Sequence, residues 1–241
     1  MQIANKTDYR HSTRSVFDLT TGIRTNVRAI LWSVKTAATT TEKGTATREL
    51  ILARAYELAR QEGLEGLSIG TVALSAGMSK SGVFAHFGSK EQLQLALLES
   101  VGARFVEFVM APALREPRGL PRLRKMTQLW CEWSRIHQSG CVLLSATAEY
   151  DGRDGSIRER VLRQQAGWRN ELSRAIRLAV DEAHFRTDTD ATQLAFEIYC
   201  LMLGLHHDAG LFGYDEARHR TELALERLFA SYRSDAPEAT V

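Results

Sequence analysis

The sequence predicts an all-α protein in which a small three-helix head leads into a larger helical bundle. Three observations carry this. Apolar residues recur at three- and four-residue spacing along most of the chain, no strand-like alternation of any length is present, and four prolines in 241 residues leave room for long helices. About nine helices are expected after an N-terminal arm.

The first expected helix runs from about Arg48 to Glu62, with Ile51, Ala55, Leu58 and Ala59 on one face, and stops at Gly63 ahead of Leu64 and Leu67. Two short helices follow, joined by a tight turn at Gly77. Ser68 is placed to cap the first, Gly77 supplies the positive φ that ends it, and Ser79 caps the second. Val72, Ala73, Ala76, Met78, Val83 and Phe87 form one apolar set that fuses the pair, leaving Ser79, Lys80, Ser81 and His86 outside. Ser89 with Gln92 reads as a capping box opening a long fourth helix, striped by Leu93, Leu97, Val101, Phe105 and Phe108. Pro112 through Pro121 should end it.

Beyond that break, a helix from about Leu123 to His137 presents Met126, Leu129, Trp130 and Trp133, and an apolar helix spans Cys141 to Glu149 before the polar loop Asp151–Gly155. Ile157, Val161, Trp168, Leu172, Ile176, Ala179 and Ala183 mark one long amphipathic helix. The last two helices are expected at about 189–210, with Leu194, Ala195, Ile198, Met202 and Leu205, and at about 215–232, with Ala217, Thr221, Ala224, Leu225, Leu228 and Phe229.

Two short helices around a three-residue turn form the unit that seats a helix in the DNA major groove. Short polar and basic side chains at the start of the second helix, Ser79, Lys80 and Ser81, suit phosphates and base edges. The flanking residues make the pattern more specific. Thr47-Arg48-Glu49 with Ile51-Leu52, Gly63 with Leu67-Ser68, Val72-Ala73 with Ala76-Gly77-Met78-Ser79, and the run Gly82 to Leu93 together resemble the TetR (tetracycline-repressor) family of bacterial transcription regulators. The resemblance is dense over residues 47–93. A weaker likeness continues in Gly140-Cys141-Val142-Leu143-Leu144 with Ala146 and Ala148-Glu149-Tyr150, and in Phe185-Arg186 with Asp188 and Asp190.

The resemblance implies that the helix from Ser79 to about His86 enters the major groove of a double-stranded operator. The DNA-binding set it implies is Thr47, Arg48, Thr71, Ser79, Lys80, Ser81, Gly82, Phe84, His86 and Lys90. Phe84 departs from the family, which usually has tyrosine there, so a hydroxyl that could reach phosphate is missing. The resemblance further implies that the last two helices pair with their copies in a homodimer, so that the operator is a near-palindrome with half-sites about one helical turn or a little more apart. An inducer pocket for a small-molecule effector is expected between body helices, lined by Trp130, Trp133, His137, Trp168, Tyr199 and Met202. Repression is the expected sign, relieved when the effector binds.

The implied organisation is an extension at 1–43, the DNA-binding head at 44–93, an effector-binding and dimerisation body at 94–233, and a tail at 234–241. Charge does not mark the head as basic: residues 44–100 carry five Lys and Arg against six Asp and Glu. The extension has seven against three, with Ile23, Val27, Ile30, Leu31 and Val34 on one helical face and a threonine-rich linker from Thr36 to Thr47. Three readings of it stay open: a flexible or weakly helical extension, a basic arm on phosphate or the minor groove, and a targeting peptide.

Other classes find less support. The chain has no nucleophile elbow, glycine-rich phosphate loop or helical His-Glu metal motif, so no enzyme activity and no cofactor are expected. Cys131, Cys141 and Cys200 are odd in number and unpaired in spacing, which fits a reducing cytoplasm. No run is apolar enough for a membrane span. Two alternatives remain, a ligand-independent DNA-binding regulator and a metal-responsive one using His137, His206, His207 and Asp208, although neighbouring helical residues point about 100° apart.

Overall fold

Ile51, Leu52, Ala55, Tyr56 and Ala59 form a single stripe on α1 (Glu42–Glu62), and all five are buried. This helix begins the described part of the chain, since the computed structural model describes residues 42–137 and 140–234. The expectations for the arm and the first half of the threonine-rich linker fall outside the described residues. The second half of that linker is helix: α1 starts six residues before the expected Arg48. Thr47 shows how threonine is tolerated there, its hydroxyl donating back to the Lys43 carbonyl at 2.9 Å.

The head continues with α2 (Ile69–Ala76) and α3 (Lys80–Phe87). Ser68 accepts the Thr71 N–H and the Thr71 hydroxyl accepts the Ser68 N–H, so the reciprocal capping box sits at this helix start. At Ser89, where the box was expected, the serine side chain caps the Gln92 N–H at 3.1 Å. Gly77 ends α2 at φ 65°, and the following Met78 N–H reaches back to the Ala73 carbonyl at 2.9 Å. Only glycine takes this left-handed position without strain, and Gly77→Ala should lower stability by about 1 kcal/mol. Gly167, inside a body helix with open space around it, gives the opposite sign. Gly167→Ala should raise stability by about 0.5–1 kcal/mol, and urea unfolding of the two variants reads both shifts.

Six helices follow: α4 (Lys90–Ala113), α5 (Leu120–Ile136), α6 (Val142–Tyr150), α7 (Ser156–Asp181), α8 (Ala191–Leu211) and α9 (Tyr214–Ser231). The α4 stripe is buried from Leu93 through Leu97, Val101 and Phe105 to Val109, with Phe108 half-buried beside it. Residue 93 falls within α4, so one continuous helix serves head and body alike. Helix α5 starts three residues before the expected Leu123, because Pro121 suits a first turn where no backbone donor is required.

Helix α7 ends at Asp181, short of the expected Ala183. Ala183 instead takes φ 56°, and the N–H groups of His184 and Phe185 both turn back to the Ala179 carbonyl, which swings Phe185 into the core. Asp190 then caps α8 by accepting the Thr192 and Gln193 N–H groups. Helices α8 and α9 pack along each other, the first burying Leu194, Ile198, Met202 and Leu205 and the second Ala217, Thr221, Leu225 and Phe229. All nine described elements are helices, and the one extended contact among the described residues is an isolated bridge between Phe185 and Arg233.

Candidate nucleic-acid interface

Helix α3 is held by its apolar side, Val83 and Phe87 being buried as it packs on α2 and α4, so its opposite edge is turned to solvent. At its N-terminus Ser79 accepts the Gly82 N–H at 3.1 Å and lies 3.0 Å from the Ser81 hydroxyl. Ser81 and Lys80 are exposed, and Lys80 makes no ion pair among the described residues. Its stem passes over Gly70, where a β-carbon would come within 3.0 Å of Lys80 Cε. One turn on, Phe84 is 55% exposed and His86 half-buried beside Phe87. Positive charge, exposed hydroxyls and a helix N-terminus thus share one edge, the combination that receives phosphate.

The other expected contacts are placed differently. Arg48 is exposed with its guanidinium 5.0 Å from the centre of the Phe87 ring, and Thr47 half-buried one residue before it. The Thr71 hydroxyl is committed to the Ser68 cap. Lys90 is tied to residue 65, donating to the Glu65 carbonyl at 2.7 Å and its carboxylate at 3.3 Å.

That tie belongs to a set of contacts that fixes the head on the body, which sequence reading missed. Glu149, at the end of α6, accepts the Leu64 and Glu65 N–H groups at 3.0 and 2.7 Å, one on each carboxylate oxygen. Tyr150 donates to the Glu65 carboxylate at 2.7 Å, and the buried Gln94 donates to the Leu64 carbonyl at 2.7 Å. At the other end of α6, Gly140 lies so close to the Arg60 carbonyl that a β-carbon would stand 2.2 Å from it. Helix α6 therefore grips α1 and the following turn at both of its ends.

The Tyr150 hydroxyl, then Lys90, hold the Glu65 carboxyl below its ordinary value of 4.5, against the opposing effect of burial. A carboxylate depressed in this way stabilises the fold above its ordinary value and ceases to do so as pH falls through the depressed one. Urea midpoints should therefore fall more steeply in the wild type than in Glu65→Gln as pH is lowered from 4.5.

All six residues expected at an effector site are buried in the body. Trp130 lies 5.2 Å from Trp168 and 5.8 Å from Tyr199, ring centre to ring centre, while Trp133 stacks on His137 at 3.9 Å. Met202 is buried on α8 in the same core. The residue that joins them is Phe105, which meets Trp168 at 4.8 Å, Trp133 at 5.3 Å and Trp130 at 5.9 Å, each edge to face. It was legible as an apolar stripe position on α4, but its place between three indoles depends on how α4, α5 and α7 cross. Tyr199 donates to Gln165 at 2.7 Å and carries Arg169 over its ring at 4.2 Å.

The histidines are separated by the helix. His206 faces inward, where burial and then His137 and His207 lower its pKa, whereas His207 is exposed and 3.1 Å from Asp208. Burial likewise lowers His137, whose Nδ1 pairs with the Trp133 carbonyl at 2.7 Å. No group of three or more His, Cys, Asp or Glu side chains able to hold a metal occurs among the described residues. Among them, too, no helix is long and apolar enough to cross a membrane.

Two family patterns match the chain. Residues 51–97 match the one described as bacterial regulatory proteins, tetR family, and residues 119–225 a tetracyclin repressor-like C-terminal domain. The transcriptional repressor AcnR of Corynebacterium glutamicum is 36% identical over 75 residues, which are 31% of this chain and 40% of that repressor. A TetR transcriptional regulator from Chloroflexus aurantiacus superposes with a TM-score of 0.75 at 23% identity, covering 81% of this chain and all of that one. A TetR-family regulator from Cytophaga hutchinsonii gives 0.71 at 20% identity, covering 82% of this chain and all of that one. With a capped helix-turn-helix at residues 68–87, a helical body behind it and both parts matched, the chain belongs to the TetR family of bacterial transcription regulators.

Proposed function

We propose that this regulator is a cytoplasmic repressor that binds a near-palindromic operator as a homodimer and releases it when a small molecule enters the body. The observation that carries the DNA reading is the α3 edge, where Lys80 and Ser81 stand exposed beside the Ser79 cap with His86 one turn and a half along. On this reading residues 44–93 touch the operator, while 94–233 receive the effector and the second subunit. Exposed apolar residues on the last two helices, Phe196, Leu203, Leu211 and Leu223, support pairing with a copy, because large apolar side chains left in solvent favour a covered surface. The effector reading rests on the buried aromatic core around Phe105. An effector acts by favouring a separation of the two heads that the operator does not accept, since only a difference in affinity between two states moves the balance.

Footprinting of genomic DNA with the purified protein tests the proposal. A protected site with two inverted half-sites about one helical turn or a little more apart is the expected result. A single unrepeated half-site, or a monomer by sedimentation at micromolar concentration, overturns it.

A further inference from the structure

Successive residues of a helix are turned by about 100° from one another, so the residues of α3 fall into rows four apart. Val83 and Phe87 form the buried row. Opposite them lies the row of Ser81 and Ala85, both exposed, with Lys80 and Phe84 along one flank and Gly82 and His86 along the other. The crest of the helix is therefore short. It carries a hydroxymethyl and a methyl group with a glycine beside them, and no long side chain there holds the helix off the floor of a groove.

The same eight residues limit which bases can be identified. Adenine is read by the paired atoms of Asn or Gln, the cytosine amino group by Asp or Glu, and guanine best by the rigid fork of Arg. Helix α3 contains none of these. Serine pairs with several base edges and so discriminates little. Lys80 can meet guanine, but it stands at the helix N-terminus beside the Ser79 cap, where phosphate is received. The remaining feature of the major groove that a side chain can read is the thymine C5 methyl, and its reader is apolar.

Phe84 supplies such a reader. It is 55% exposed, and among the described residues its ring meets no other ring and no guanidinium. It lies one turn along from Lys80, so the flank that starts in charge ends in apolar surface next to the exposed Ala85. The ring has no polar atom to offer a phosphate.

Resting on the reading above that α3 enters the major groove, we propose that Phe84 identifies a thymine in each half-site by packing its ring on the C5 methyl. Ser81, Gly82 and Ala85 act by being small, since they let the helix come close enough for that contact. The base is thus recognised by its methyl group and not by its hydrogen-bonding edge.

The test uses the full chain on its footprinted operator, with affinity read by fluorescence anisotropy. Each thymine is replaced in turn by deoxyuridine, which removes the C5 methyl alone, at equivalent positions of both half-sites. One symmetric pair should stand out. A buried methyl group changes affinity about fourfold, so the pair should cost about 15-fold. At the same positions 5-methylcytosine should bind more tightly than cytosine by a similar factor. Phe84→Ala should bind the thymine and uracil operators equally with helicity unchanged, while Phe84→Leu, still apolar, should retain most of the preference. An operator that accepts uracil at every thymine without loss overturns the assignment and leaves the DNA reading standing. A methyl preference that survives Phe84→Ala removes Phe84 from it, and the absence of any specific footprint overturns the DNA reading itself.

Discussion

Phe105→Ala is expected to lower stability by about 3–5 kcal/mol, the range for truncating a buried aromatic side chain. For a chain of this size that corresponds to a thermal midpoint lower by roughly 6–20 °C. The effect belongs at the top of this range because Phe105 meets three indoles edge to face, from α5 and α7, and its loss leaves a hole bordered by rigid rings that cannot collapse into it. Phe105→Leu, which retains most of the volume, should lose far less. Differential scanning calorimetry of the two variants decides the matter, and equal losses would mean that the rings repack freely.

The double replacement Lys80→Ala, His86→Ala should weaken operator binding by about 1000-fold or more with helicity unchanged. Both side chains lie on the outer edge of α3 and neither belongs to the buried set that holds the helix in place. A single phosphate or base-edge contact contributes on the order of 1–3 kcal/mol, and a symmetric pair of heads would lose it twice. Affinity measured at several salt concentrations adds a second reading. Each phosphate contact removed should flatten the salt dependence by about one unit of slope, and an unchanged slope with lower affinity would place these residues on bases. Lys90→Ala should act otherwise, loosening the head through Glu65 and lowering the urea midpoint as well as binding.

How much of this was legible depended on whether local signals or crossing angles set the result. The Ser68, Gly77 and Ser79 sites announce themselves because each satisfies a backbone group within three residues of itself, and the helix-turn-helix followed from them. Helix ends were less secure. The start of α1 was masked by threonines that propensity disfavours, and the end of α7 by Ala183, whose positive φ no side-chain pattern signals. The aromatic residues of the core were identifiable as apolar helix positions, whereas their joining through Phe105 required knowing which faces of three helices meet. Least legible was the hold of Glu149 on the backbone of residues 64 and 65, a contact across 84 and 85 positions made by a glutamate that in sequence resembles any solvated charge.

That hold constrains how the DNA-reading part could be exchanged. A chimera joined within α4 would carry a foreign turn into the place of residues 63–65, and both oxygens of Glu149 would then confront whatever backbone the graft supplied. On the proposed reading, rewriting the outward residues of α3 alone should retarget specificity without disturbing this hold. Wholesale replacement of the module should succeed only when the donor brings a turn of the same shape with a carboxylate at position 65, because the body holds the main chain of that turn and the Glu65 side chain together.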